Sequence, residues 1–158
     1  MKYLILFLLL CSCGTETGNP ISEDDSGQAL PGDSINYFTL TTADNICDKL
    51  IECYSEITDV SACIEKLKTI DGFDTALDLE DDYSNLNDIY LDEKNSVFTI
   101  NSDHNQQCQS DINGLTCSDS EVINAYDSAS PNDYSNVPNI IPVGSGSCQD
   151  VLSKASLD

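Results

Sequence analysis

Apolar positions fall at helical spacing through Ile46, Leu50, Ile51 (or Cys53), Tyr54 and Ile57, and again through Val60, Cys63, Ile64 and Leu67. That pattern predicts two short helices in a hairpin. Thr41-Thr42-Ala43-Asp44 has capping-box spacing ahead of the first, with aspartate the poorer third-position partner. Tyr37-Phe38-Thr39-Leu40 leads in as a short apolar segment. Thr58-Asp59 caps the second helix and Asp71-Gly72 ends it. Leu86, Ile89 and Tyr90 predict a third helix over about 84–94, capped by Ser84. Asn101-Ser102 opens a fourth, with His104, Cys108 and Ile112 along one face and Asn113-Gly114 as the stop. Ser118-Asp119-Ser120-Glu121 is a second capping box, opening a helix that carries Val122, Ile123 and Tyr126. Ser147 caps a last short helix with Val151, Leu152 and Ala155 inward.

Strands are scarce in this pattern. Val97-Phe98-Thr99-Ile100 has strand propensity, but no second strand is evident, so it reads as an extended connector. Residues 128–146 form a long irregular stretch with Pro131, Pro138 and Pro142, pinned to the core by Ile140, Ile141 and Val143. Long loops in compact domains are usually functional or disordered. This loop, including Tyr134, is therefore the candidate interaction surface. The fold class is mainly α: a small disulfide-stabilised helical domain on a flexible N-terminal tether. No internal repeat is detectable.

The apolar supply explains why sulfur matters. Past position 12, only 33 of 146 residues are Leu, Ile, Val or Phe, close to the level at which a highly charged chain stays disordered. Cross-links offset such a deficit in small exported domains. Cys47 and Cys53 are poor partners for each other. On one helix six residues rise about 9 Å, whereas bridged Cα atoms lie within about 7 Å. Each thiol is thus offered to a different partner. Cys53–Cys63 would staple the hairpin, worth roughly 2–3 kcal/mol in the chain-entropy model. Cys47–Cys108 would reach a distant element, and Cys117–Cys148 follows by elimination. Six cysteines allow other connectivities, and these stay open.

The N-terminus adds a location. Met1-Lys2 is a minimal positive region, and Tyr3 to Leu10 is an apolar run too short for a bilayer span of about 20 residues. It fits a secretory signal. Leu10-Cys11-Ser12-Cys13-Gly14 follows and resembles the lipobox of bacterial lipoproteins. The resemblance implies diacylglyceryl attachment to Cys13, cleavage before it, and N-acylation, with palmitate-like chains sufficient for stable anchoring. Cys11 at the second position before the cut departs mildly from the pattern. As a lipid site Cys11 is the weaker alternative, because Leu10 before it is bulky. The competing reading is an ordinary cleaved signal peptide that holds two cysteines. Thr15-Glu16-Thr17-Gly18-Asn19-Pro20 looks like the start of mature lipoproteins in some poorly characterised diderm bacteria. Gly14 after the lipid site, where an aspartate is absent, leans by analogy towards the outer membrane. The expected division is residues 1–12 as signal peptide, 13–34 as lipidated N-terminus and tether, and 35–158 as the bridged domain. Thr15 to Ser34 is rich in Gly, Pro, Ser, Asp and Glu, and about twenty such residues reach roughly 25 Å.

Charge narrows the partners. The formal charge is −22, from 28 acidic and 6 basic residues, with no arginine. Phosphate neutralisation needs basic clusters, so nucleic acid is not an expected partner. Attraction to anionic lipid by charge is equally disfavoured. The membrane, through the lipid anchor, and an envelope protein or ligand are the expected partners.

Candidate chemistry is thin. Asp78-Leu79-Glu80-Asp81-Asp82 is the densest acidic run. A calcium loop needs oxygen ligands at alternating positions with a glycine at the turn, and this run has no glycine. It reads as a solvated loop, with Asp78, Glu80 and Asp82 as a weak divalent-cation alternative. His104, Cys108 and Cys117 would offer a soft metal site, but export favours disulfides over free thiolates. Pro31-Gly32-Asp33-Ser34 superficially resembles the Gly-Asp-Ser block of one hydrolase family. That family also needs a late Asp-x-x-His, and the only histidine, His104, has Asn101 three residues before it. No nucleophile with a matching base stands out, and no cofactor-binding motif. The expectation is a non-enzymatic lipoprotein acting as a structural or interaction module. A weak cation binder is the alternative, and an unrecognised envelope hydrolase comes after that.

Overall fold

A computed structural model describes residues 37–142 and 148–155. The chain divides between Ser34 and Ile35 into two units, and the described residues belong to the second. Their order is α1 (Phe38–Cys53), α2 (Val60–Leu67), α3 (Phe73–Ala76), α4 (Leu86–Lys94), β1 (Phe98–Ile100), α5 (Ser102–Gly114), α6 (Ser120–Ala125), a 3-10 turn (Val137–Ile140) and β2 (Leu152–Lys154). The domain is mainly helical and carries three disulfides.

α1 is the centre, with α2, α4 and α5 packed around it. Phe38, Ala43, Ile46, Cys47 and Leu50 are fully buried at helical spacing. The helix begins earlier than the Thr41 capping box predicts, because its cap comes from another element. Tyr37 occupies the N-cap position in extended conformation and supplies no side-chain bond. Instead, the carboxylate of Glu93 on α4 accepts from the backbone N–H of Phe38, from that of Thr39 at 3.0 Å, and from the Thr39 hydroxyl. The first-turn N–H groups of a helix have no partner within the helix, and an anion there also meets the positive end of its dipole. Glu93 is buried, with 6% of its surface exposed. Tyr37 sits edge-on against Tyr90 of α4 at 5.2 Å, a second contact between the same elements.

Local caps act at the other helices. Asp59 caps α2 by accepting from the Ala62 N–H at 2.9 Å. Asn85, one residue past the expected Ser84, caps α4 by accepting from Asp88. Asn101 caps α5, accepting from Asp103 and His104. The box before α6 is not used as such: Asp119 turns back to accept from the Thr116 N–H at 2.6 Å. Gly72, at φ +93°, holds a left-handed conformation that side chains disfavour. It turns the chain into α3, an element the apolar pattern did not predict.

The C-terminal helix expected after Ser147 is absent, and a strand stands there. β2 pairs antiparallel with β1, with Phe98 opposite Lys154 and Ile100 opposite Leu152. The Asn101 N–H to Val151 and Ala155 N–H to Val97 bonds extend the pairing at both ends. Val151 and Leu152 are buried as expected, but the backbone of β1 requires a partner and wins over local helix propensity. Within the Val97–Ile100 stretch, Phe98–Ile100 is thus a strand and not a connector. Ile140 and Ile141 do pin the long loop to the core; Val143 lies outside the described residues.

The bridges are Cys47–Cys63, Cys53–Cys117 and Cys108–Cys148, with Cα separations of 5.8, 5.2 and 4.7 Å. Cys47 and Cys53 take different partners, as their spacing requires. The three expected pairs, Cys53–Cys63, Cys47–Cys108 and Cys117–Cys148, are each replaced. Residues 54–59 let α2 fold back along α1, so Cys63 lies beside the middle of α1 and not its end. Cys53, at that end, meets the α5–α6 turn instead. Cys108 is then left to hold the C-terminal segment through Cys148.

A polar ladder sets the register of α1 on α5. The Gln109 amide donates to Thr42 at 2.9 Å and to Asn105 at 3.1 Å, and its carbonyl accepts from Asn45 at 2.7 Å. Gln109→Ala is expected to cost about 1–2 kcal/mol, since buried Thr42 and half-buried Asn45 and Asn105 each lose a partner. The urea midpoint reads this; an unchanged midpoint would mean the ladder contributes nothing.

Candidate functional site

Two surface hollows stand out among the described residues. One, about 330 Å³, lies between residues 78–83 and the β1–β2 pair. The other, about 520 Å³, lies between α3, α6 and the 3-10 turn, and is lined by Thr75, Glu121, Asn124 and Asn139 among others.

The first hollow is lined by Asp78, Glu80 and Asp81 of the acidic run. Asp78 adopts φ +54°, and the turn that follows is tied down by protein groups. Asp81 pairs with Lys154 of β2 at 2.5 Å. The Tyr83 N–H donates to Asp74 at 3.0 Å, and its hydroxyl donates to Asp92 at 2.8 Å. Burial first, and then the bond to Asp92, pushes the Tyr83 phenol above its ordinary range. The phenol is therefore a donor and not a base near neutrality. The bond to Asp81, reinforced by nearby acids, raises the Lys154 ammonium. A cation in this hollow would compete with that ammonium. Asp78, Glu80 and Asp82 do not converge: among the described residues, no group of three His, Cys, Asp or Glu side chains is placed to hold a metal ion.

His104 lies half-exposed at the start of α5, with Nδ1 3.7 Å from an Asp150 oxygen and no hydrogen bond. Cys108 and Cys117, which would complete a soft metal set with it, are both bridged elsewhere. Tyr134 is not a surface contact. It is 8% exposed and packs edge-on against Tyr126 at 5.5 Å. Tyr126 in turn packs on Tyr54 at 4.9 Å, whose hydroxyl donates to the Val122 carbonyl at 2.8 Å. The loop folds its aromatic inward to complete this cluster, and burial raises the phenols of Tyr54 and Tyr134. Cys13 lies outside the described residues.

Sequence reasoning missed Glu93 as a position of consequence. The signal was there: Glu93 falls four residues after Ile89 and seven after Leu86, on the apolar face of α4. An acid on a buried stripe needs donors, and the open end of α1 supplies them.

Comparison of the chain with protein-family models, with curated proteins and with solved structures finds no match. What stands is a small disulfide-stabilised helical domain without a metal-holding cluster among its described residues.

Proposed function

We propose that this chain is an exported lipoprotein whose bridged helical domain is presented as a structural or interaction module, with no enzymatic step. In this reading Cys13 carries the lipid, residues 13–34 are the tether, and the protein sits on the outer membrane of a diderm bacterium. Its partners are the membrane, through the acyl chains, and an envelope protein or ligand. The observation that carries the reading is the pairing of all six cysteines beyond Cys13. Such full pairing is characteristic of oxidising compartments and rare in the cytosol. The Leu10-Cys11-Ser12-Cys13 segment supports the anchor, and the charge of −22 argues against nucleic acid as the partner.

The test is Cys13→Ala in a diderm host, with fractionation and labelled palmitate. The variant is expected to leave the membrane fraction and to take up no label. Continued membrane retention, or label retained without Cys13, would remove the anchor from the proposal.

A further inference from the structure

We propose that the Cys53–Cys117 bridge is a site of thiol–disulfide exchange, opened by a dithiol reductant while the other two bridges stay closed. The inference rests on the fold and is independent of the lipid anchor. Cys47, Cys63, Cys108 and Cys148 expose 0–1% of their surface. Cys53 is only half-buried, and Cys117 is exposed. Exchange begins when a thiolate reaches one sulfur of the bridge, so access decides which bridge reacts first. Placement adds to access: Cys53 is the last residue of α1, and Cys117 lies in the turn between α5 and α6.

The surroundings can also tolerate the opening. Val122 and Ala125 of α6 are fully buried in the core. The Tyr54 hydroxyl still bonds the Val122 carbonyl, and the α5–α6 turn is closed by its own Thr116–Asp119 bond. Cys47–Cys63 keeps α2 on α1, and Cys108–Cys148 keeps the C-terminal segment on α5. Opening therefore frees one turn from one helix end, a local event and not a global one.

The chemistry balances as a two-electron exchange. A thiolate of the reductant attacks Cys117 Sγ, forming a mixed disulfide and expelling Cys53 as a thiolate, which takes a proton from water. The second thiol of the reductant, as thiolate, attacks its own bridged sulfur. Cys117 leaves as a thiolate and is protonated, and the reductant departs as its cyclic disulfide.

The experiment treats the folded chain with graded dithiothreitol, quenches with iodoacetamide, and maps the modified cysteines without further reduction. Carbamidomethyl groups are expected first on Cys53 and Cys117, on the order of tenfold faster than on the other four, because local opening is cheaper than global unfolding. Far-UV circular dichroism should hold constant through that first phase. Simultaneous labelling of all six, first labelling at either buried bridge, or loss of helical signal in step with the first phase would each overturn the proposal.

Discussion

Complete reduction of all three bridges is expected to unfold the body from Tyr37 to Ala155 in native buffer. The bridges close loops of 16, 64 and 40 residues, worth about 3, 4 and 4 kcal/mol singly in the chain-entropy model. The loops overlap, so the values do not simply add. Even half their sum rivals the whole stability of an ordinary domain, about 5–15 kcal/mol. The aliphatic supply of this chain is small, which leaves little to hold the helices together once the bridges are gone. Circular dichroism of the fully reduced, fully alkylated chain reads the outcome. Retention of native helical signal, with protected core amides, would show that packing alone suffices.

Glu93→Ala should be the most damaging single exchange away from sulfur. It strips the acceptor from two backbone N–H groups and one hydroxyl in a buried place. The expected cost is about 3–5 kcal/mol, from unsatisfied donors together with a lost helix cap. Glu93→Gln keeps an acceptor but loses the charge, and should cost about 1–2 kcal/mol. Urea unfolding of both variants gives the comparison. Hydrogen exchange in the first turn of α1 should rise more in the alanine variant than in the glutamine variant. A loss below about 1 kcal/mol for Glu93→Ala would mean that water serves the α1 terminus as well as the carboxylate does.

The elements that sequence reasoning placed well are those whose ends are set within a few residues. Asp59 and Asn101 cap their own helices, so spacing alone locates the starts of α2 and α5. The start of α1 was misplaced because Glu93 lies 55 residues from Phe38, and no local window contains both. The segment of β2 reads locally as a helix for the same reason: Val151 and Leu152 are apolar in either geometry, and only β1 decides between them. The cysteine pattern divides along the same line. Helical rise excludes Cys47–Cys53, but the choice of partner depends on how α2 lies against α1 and on what reaches the end of α1. Tyr134 shows the limit for sites, since a polar, proline-rich neighbourhood did not reveal that its ring turns inward onto Tyr126.

The order of the bridges along the chain bears on survival in a protease-rich setting. Lys49 lies between Cys47 and Cys63, and Lys66, Lys68 and Lys94 lie between Cys53 and Cys117. Among the described residues only Lys154 falls outside a closed ring, and the chain contains no arginine. A trypsin-like cut after any of those four ring-bound lysines nicks the backbone yet releases no fragment, so the severed molecule still travels as one covalent piece.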